Sequence, residues 1–196
     1  QKIYGDCHVK IKWPVDAVMG LGWRQQYFRT AIDLFKPQSY CEIGCHTGRA
    51  ATVTTDYCLQ YTSNFYFAGY DLFELATNET HKQEINGKGS GNYDACAKRF
   101  DKLKARSLAK NIDLTYDLYK GFTQDTLESR KFDMVFVDGG HSYETVLHDY
   151  EKIKDSKVIF FDDYDIPDVK RACDEIGAVN LITWPSKKKL AVLING

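Results

Sequence analysis

Five short apolar runs, each closing on a carboxylate or a glycine, alternate along this chain with longer amphipathic segments, and that alternation leaves few folds open. The runs are Tyr40-Cys41-Glu42-Ile43, Phe65-Tyr66-Phe67-Ala68-Gly69-Tyr70, residues 112–119, Phe132-Asp133-Met134-Val135-Phe136-Val137 and Val158-Ile159-Phe160-Phe161. The last two are near-continuous apolar runs, as expected of strands covered on both faces, and the helical segments between the runs supply the cover. A terminal pair, Leu181-Ile182-Thr183-Trp184 and Leu190-Ala191-Val192-Leu193-Ile194, reads as a hairpin joined across residues 185–189. The expected fold is therefore α/β: a mostly parallel seven-stranded sheet, helices on both faces, and a C-terminal antiparallel hairpin.

The helical segments follow from period and punctuation. Residues 23–35 place Tyr27, Ala31, Leu34 and Phe35 on one face, and Pro37 ends the pattern. A glycine turn at residues 44–48 opens a helix over 49–59, a third helix spans 93–110, a short one starts near Asp125, and Pro167 can begin another in its first turn. Residues 75–92 are polar and glycine-rich and read as a flexible insertion, either a mobile loop on the substrate side or plain disorder. Residues 1–22 would be an N-terminal cap or lid, and Trp13, Trp23, Tyr27 and Phe28 belong either to such a lid or, as aromatics at helical spacing usually do, to the core. The chain of 196 residues is 43% hydrophobic, enough for one domain with a real core, and a single domain over 1–196 is expected.

Charge narrows the partners. With 26 Lys+Arg against 27 Asp+Glu the net charge is −1, so there is no global positive field for DNA or RNA, and Lys187-Lys188-Lys189 reads as a solvated turn. The six cysteines form no CxxC pair and are expected to be reduced. No apolar run approaches the roughly 18 residues of a membrane span and no signal-peptide pattern opens the chain, so a cytoplasmic protein acting on a small molecule or glycan, without nucleic acid or membrane, is expected. The sequence leaves the oligomeric state open, a homodimer included.

In open α/β sheets ligands bind beyond the carboxyl ends of the strands. Here those ends carry Glu42-Ile43-Gly44, Asp71, Gly121, Asp138 and Asp162-Asp163. Gly44 and Gly48 allow close backbone approach to a ligand and a sharp turn into a helix. Asp71 is placed to accept hydrogen bonds from the ribose hydroxyls of an adenosine, an arrangement that dinucleotide enzymes share. Three carboxylates at adjacent strand ends would repel unless a cation neutralised them, and an oxygen-only set suits Mg²⁺, Mn²⁺ or Ca²⁺. The plainer reading is that Asp138, Asp162 and Asp163 cap the segments that follow them.

Glu42-Ile43-Gly44-Cys45-His46-Thr47-Gly48 resembles the first motif of class I S-adenosylmethionine-dependent methyltransferases, and the resemblance implies a Rossmann-like methyltransferase fold. Gly121-Phe122-Thr123-Gln124-Asp125 resembles the adenine-side loop of catechol O-methyltransferase, which would bring Thr123 and Gln124 near the base. Asp138, Asp162 and Asp163 match positions from which that enzyme and the macrolide-sugar O-methyltransferases draw their metal ligands. Val137-Asp138-Gly139-Gly140-His141-Ser142-Tyr143-Glu144 resembles a methyltransferase family with a DGxHxYE-like signature.

The resemblance thus implies S-adenosylmethionine held by Glu42, Gly44, His46, Gly48, Asp71, Thr123, Gln124 and Asp138. It implies a divalent ion, Mg²⁺ or Mn²⁺, on Asp138, Asp162 and Asp163, with His141 and Asp138 catalytic. His141 is the expected general base, since imidazole titrates near neutrality; its alternative is a histidine bonded to backbone in a first helical turn. His46 would touch the methionine end of the cofactor or face solvent, and His148 is expected at the surface. The implied activity is metal-assisted O-methylation of a sugar or glycan hydroxyl. Three rivals stand beside it: a metal-independent N- or O-methyltransferase, a non-catalytic cofactor-binding module, and an NAD-dependent oxidoreductase, although the GxGxxG spacing of the last is absent. Asp155-Ser156-Lys157 departs from the pattern, since relatives carry a glycine pair before the fifth strand.

Overall fold

The computed structural model describes residues 22–84, 89–181 and 189–195. In chain order the elements are α1 (Gln25–Phe35), β1 (Ser39–Ile43), α2 (Arg49–Cys58), β2 (Asn64–Asp71), α3 (Asn78–Gln83), α4 (Tyr93–Leu108), β3 (Asp113–Lys120), α5 (Thr123–Thr126), β4 (Met134–Val137), α6 (Tyr143–Ile153), β5 (Val158–Phe161), α7 (Pro167–Ile176), β6 (Val179–Leu181) and β7 (Leu190–Ile194). The seven strands form one sheet in the order β3-β2-β1-β4-β5-β7-β6. The first five are parallel; β7 runs antiparallel to both β5 and β6. This is the Rossmann-like arrangement that the alternating runs imply.

Register decides what meets at the ligand edge. Ile43 pairs with Tyr70 on one side and Val137 on the other, and Val137 pairs with Phe161. The residues that follow, Gly44, Asp71, Asp138 and Asp162, therefore come level at one edge of the sheet. The chain leaves β1 toward β2 on one side and reaches β4 on the other, so the edge opens where strand order reverses.

Whereas β3 and β6 at the edges are largely exposed or half-buried, the central strands β1, β4 and β5 are buried on both faces. On one, Phe28 of α1, Phe67, Phe100 of α4, Phe136 and Phe160 share a cluster, with the Phe28 ring 4.9 Å from that of Phe136 and 4.8 Å from that of Phe160. On the other, Val146 and Ile153 of α6 and Val169 and Cys173 of α7 pack against Val135, Val137, Ile159 and Phe161. Cys41, Cys45, Cys58, Cys96 and Cys173 are buried free thiols, and no described helix is long and apolar enough to cross a membrane.

Three expectations shift. The first helix opens with a 3-10 turn at Gly22–Arg24, and its buried residues are Phe28, Ala31 and Ile32. Leu34 is 70% exposed and Phe35 37%, because the helix stops there on a left-handed Lys36 beyond the reach of the sheet. Within residues 75–92 lies a six-residue helix, α3, with a Thr77–Thr80 capping box and no buried residue; lacking an apolar stripe, it has no periodic signature. The hairpin pairs Val179 with Val192 and Leu181 with Leu190, so its first strand starts two residues earlier than expected; Ile182 to Trp184 lie outside the described residues, as do Trp13, Lys187 and Lys188. Before β5, Ser156 of the segment that departs from the resembling enzymes' glycine pair is buried, and its hydroxyl accepts a hydrogen bond from Phe132 N at 3.0 Å.

Candidate functional site

The turn after β1 depends on two glycines. Gly44 has φ +95°, and a Cβ there would lie 2.0 Å from the Asp138 carbonyl oxygen, so the β1 and β4 ends can meet only without a side chain. Gly48, with φ +72°, caps α2, and a Cβ would come 2.6 Å from Cys96 Sγ on α4. Glu42 turns into the protein: its Oε2 accepts a 2.5 Å hydrogen bond from the Tyr40 hydroxyl. Burial pushes its carboxyl up to about 8, against the Tyr40 bond that lowers it and with Asp138 raising it further.

Asp71 closes β2 and organises two loops. Its Oδ2 accepts from His46 N at 2.7 Å and its Oδ1 from Phe73 N at 2.5 Å. Burial raises its pKa while these two N–H groups hold it down. The insertion then folds back over this point. Asn92 N donates to His46 O at 3.1 Å, His46 Nε2 lies 3.1 Å from Gly89 O, and a Cβ on Gly91 would sit 2.9 Å from Asp71 Oδ1.

These ends enclose a cleft of about 150 Å³. Gly44, His46, Asp71, Thr123, Gln124 and Asp138 line it; Glu42 and Gly48 do not, the first buried beneath it and the second behind the turn. On two of the walls the sequence marks no residue, one of them the insertion that reads as either a substrate-side loop or disorder. Ala76, Thr80, His81 and Glu84 enter from the insertion, and Glu84 ties it to the start of α6, accepting from Ser142 N at 3.0 Å and from the Thr145 hydroxyl at 3.1 Å. Asp149 enters from α6 on the same stripe as the buried Val146 and Ile153, and a carboxylate on an apolar helical stripe was the signal available for it. His148, expected at the surface, is half-buried, its Nε2 3.4 Å from Thr123 O, because α5 packs onto α6 there.

Beside the cleft, Asp138, His141 and Asp163 bring one ligand atom each within 4.8 Å of one another, with His141 Nε2 3.3 Å from Asp163 Oδ2. This is not the expected trio. Successive side chains at a strand end leave on opposite faces, so Asp162 follows Phe160 toward the α1 face. There its buried carboxylate pairs with the Arg24 guanidinium, which lies 4.0 Å from Asp138 Oδ2 and 5.5 Å from the centre of the Phe136 ring. Asp163, with φ +50°, turns the other way, toward His141.

A family model described as a methyltransferase domain matches residues 41–164, from β1 through the strand-five carboxylates. No curated protein matches the sequence. Among solved structures, the O-methyltransferase NovP is similar with a TM-score of 0.62 at 15% identity, over 93% of this chain and 84% of that one. CalS11, described as a TDP-rhamnose 3'-O-methyltransferase of calicheamicin biosynthesis, gives 0.60 at 15% identity over 90% and 78%. TomG from Streptomyces achromogenes, in complex with S-adenosylmethionine, gives 0.55 at 12% identity over 88% and 80%. At these identities the likeness is one of fold.

Proposed function

This chain belongs to the methyltransferase-domain family, whose model spans more than half of it, and from that premise we propose that it methylates a hydroxyl oxygen of a small-molecule acceptor, a sugar or glycan, with the help of a divalent cation. Methyl transfer from S-adenosylmethionine is the activity that the family carries. The oxygen acceptor, the cation and the sugar are the finer reading. The observation that carries it is the Asp138–His141–Asp163 cluster at the rim of the cleft that Asp71 and Thr123 line.

The donor set fits a divalent ion: two carboxylates and one imidazole converge from two neighbouring strand ends. Asp138, His141 and Asp163 would hold it, and an imidazole donor favours Mn²⁺ over Mg²⁺. When bound, S-adenosylmethionine supplies an activated methyl and the ion supplies charge that acidifies an acceptor hydroxyl. The chain itself contributes position. Asp71 fixes the His46 loop and offers its carboxylate at the cleft wall, and Asp138 stands between cleft and cluster, lining one and belonging to the other. A vicinal diol suits such an ion because two neighbouring oxygens can chelate it, and the CalS11 description names a sugar acceptor.

Arg24 favours a second reading. Its guanidinium already places positive charge between Asp162 and Asp138, and His141 Nε2 beside Asp163 is arranged as a carboxylate-oriented base. In that reading transfer needs no metal, and His141 takes the hydroxyl proton.

Calorimetric titration with S-adenosylhomocysteine tests the cofactor site. Micromolar binding that weakens at least about tenfold in Asp71→Ala is expected, the loss of hydrogen bonds to a charged group. No binding to the parent chain overturns the methyltransferase reading. Turnover of sugar diols that EDTA abolishes and Mn²⁺ restores supports the cation; turnover indifferent to EDTA and lost in His141→Ala supports the metal-free route.

A further inference from the structure

Four carboxylates line the cleft, and no lysine or arginine does so among the described residues. Two are satisfied by the protein: Asp71 by the His46 and Phe73 N–H groups, Glu84 by Ser142 and Thr145. Asp138 belongs to the rim cluster. Asp149 differs. It is fully buried on α6, and neither of its carboxylate oxygens makes a hydrogen bond of good geometry, although the Thr123 side chain stands close enough to lower its pKa. A buried acidic side chain in that state costs stability, and a ligand donor that reaches it in the filled cleft would offset that cost.

Its position says what. α5 packs against this part of α6, with Gly121 and Phe122 leading into it, and the Thr123 side chain stands beside Asp149. Burial pushes the Asp149 carboxyl up to about 7, with Thr123 lowering it and Glu84 raising it. A ligand group that answers it is a hydrogen-bond donor small enough to reach a helix face at the cleft wall.

We propose that Asp149 reads the base of the cofactor, accepting a hydrogen bond from the exocyclic amine of adenine. The inference rests on the cofactor reading above and deepens it, because no sequence motif assigns this residue. Adenine offers an N–H at that position; a base with a carbonyl there would set a lone pair against the carboxylate. Asp149 is thus a specificity determinant at the cofactor site, built from a helix that the strand-end motifs do not include.

The test is calorimetry at pH 8 with S-adenosylhomocysteine and with S-inosylhomocysteine, which carries a carbonyl in place of the amine, on the parent chain and on Asp149→Asn. The parent should prefer the adenosyl ligand by about tenfold to a hundredfold, the range for a hydrogen bond to a charged group. In Asp149→Asn, whose amide can donate or accept, the two affinities should converge to within about threefold. Thermal melting of the unliganded variant separates binding from folding: replacing an unpartnered buried carboxylate by an isosteric amide should leave the midpoint unchanged or raise it by about 2 °C. A preference that survives the substitution, with the parent binding well, overturns the proposal and leaves the cofactor reading intact. A midpoint well below that of the parent marks the carboxylate as structural and also overturns it. Failure of the parent to bind S-adenosylhomocysteine removes both readings together.

Discussion

Glu42 carries a carboxyl group into a strand with core on both sides, and its side chain accepts a hydrogen bond from the Tyr40 hydroxyl at 2.5 Å. Burial holds its folded pKa at about 8, well above the 4.5 of an ordinary glutamate. The folded chain therefore keeps a proton that the unfolded chain gives up, so stability from this group is complete below about pH 4.5 and is lost as pH rises toward about 8. Glu42→Gln keeps an acceptor for Tyr40 and removes the charge. Urea denaturation should find the variant more stable than the parent at pH 9, by on the order of 5 kcal/mol, with the difference vanishing near pH 4.5. A difference independent of pH would mean that Glu42 is not the titrating group. The motif position was legible in the sequence, but its direction was not: a glutamate in a first motif reads as a ligand contact, and register with Phe136 and Gly69 turns it inward instead.

At the scale of elements, α3 buries no residue, and its ties among the described residues are polar: the Thr77–Thr80 box at one end, His81 beside Ser90, and Glu84 at the other end. Glu84 places a carboxylate at the N-terminus of α6, where exposed N–H groups and the helix dipole favour negative charge. In Glu84→Gln the tie should weaken by about 1 kcal/mol, and amide exchange in residues 76–84 and 142–145 should rise about fivefold. The global melting point should hardly move, since no apolar surface is released. Exchange that stays at the parent rate would show that other contacts hold the insertion. Sequence alone could not find this element because the helical period is read from apolar residues, and Asn78 to Gln83 has none to offer. The same reasoning explains α1, where the apolar residues were all visible but the sheet, by placing the Phe136 and Phe160 rings, chose Phe28, Ala31 and Ile32 as the inner face.

Across the whole molecule, the cleft draws on β1, β2, the α3 segment, α5, β4 and α6, so a ligand that fills it couples most of the fold. S-adenosylhomocysteine at a hundred times its Kd should stabilise the chain by about 2.7 kcal/mol and raise its melting point by roughly 5–10 °C. NAD⁺ at the same concentration should leave it unchanged; a shift of equal size with NAD⁺ would return the site to dinucleotide chemistry. The sequence by itself determined the sheet and its ligand edge, because strand runs, glycine turns and terminal carboxylates are local signals, and parallel topology carries Gly44, Asp71, Asp138 and Asp162 to one edge. Only the tertiary structure decided which acidic groups face one another. It sent Asp162 to Arg24, gathered Asp138, His141 and Asp163, and set Asp149 into the cleft from a helix. The physical reason is that a side chain's partner is chosen by the face on which it leaves the backbone and by what packs there, and for these residues those neighbours come from distant parts of the chain.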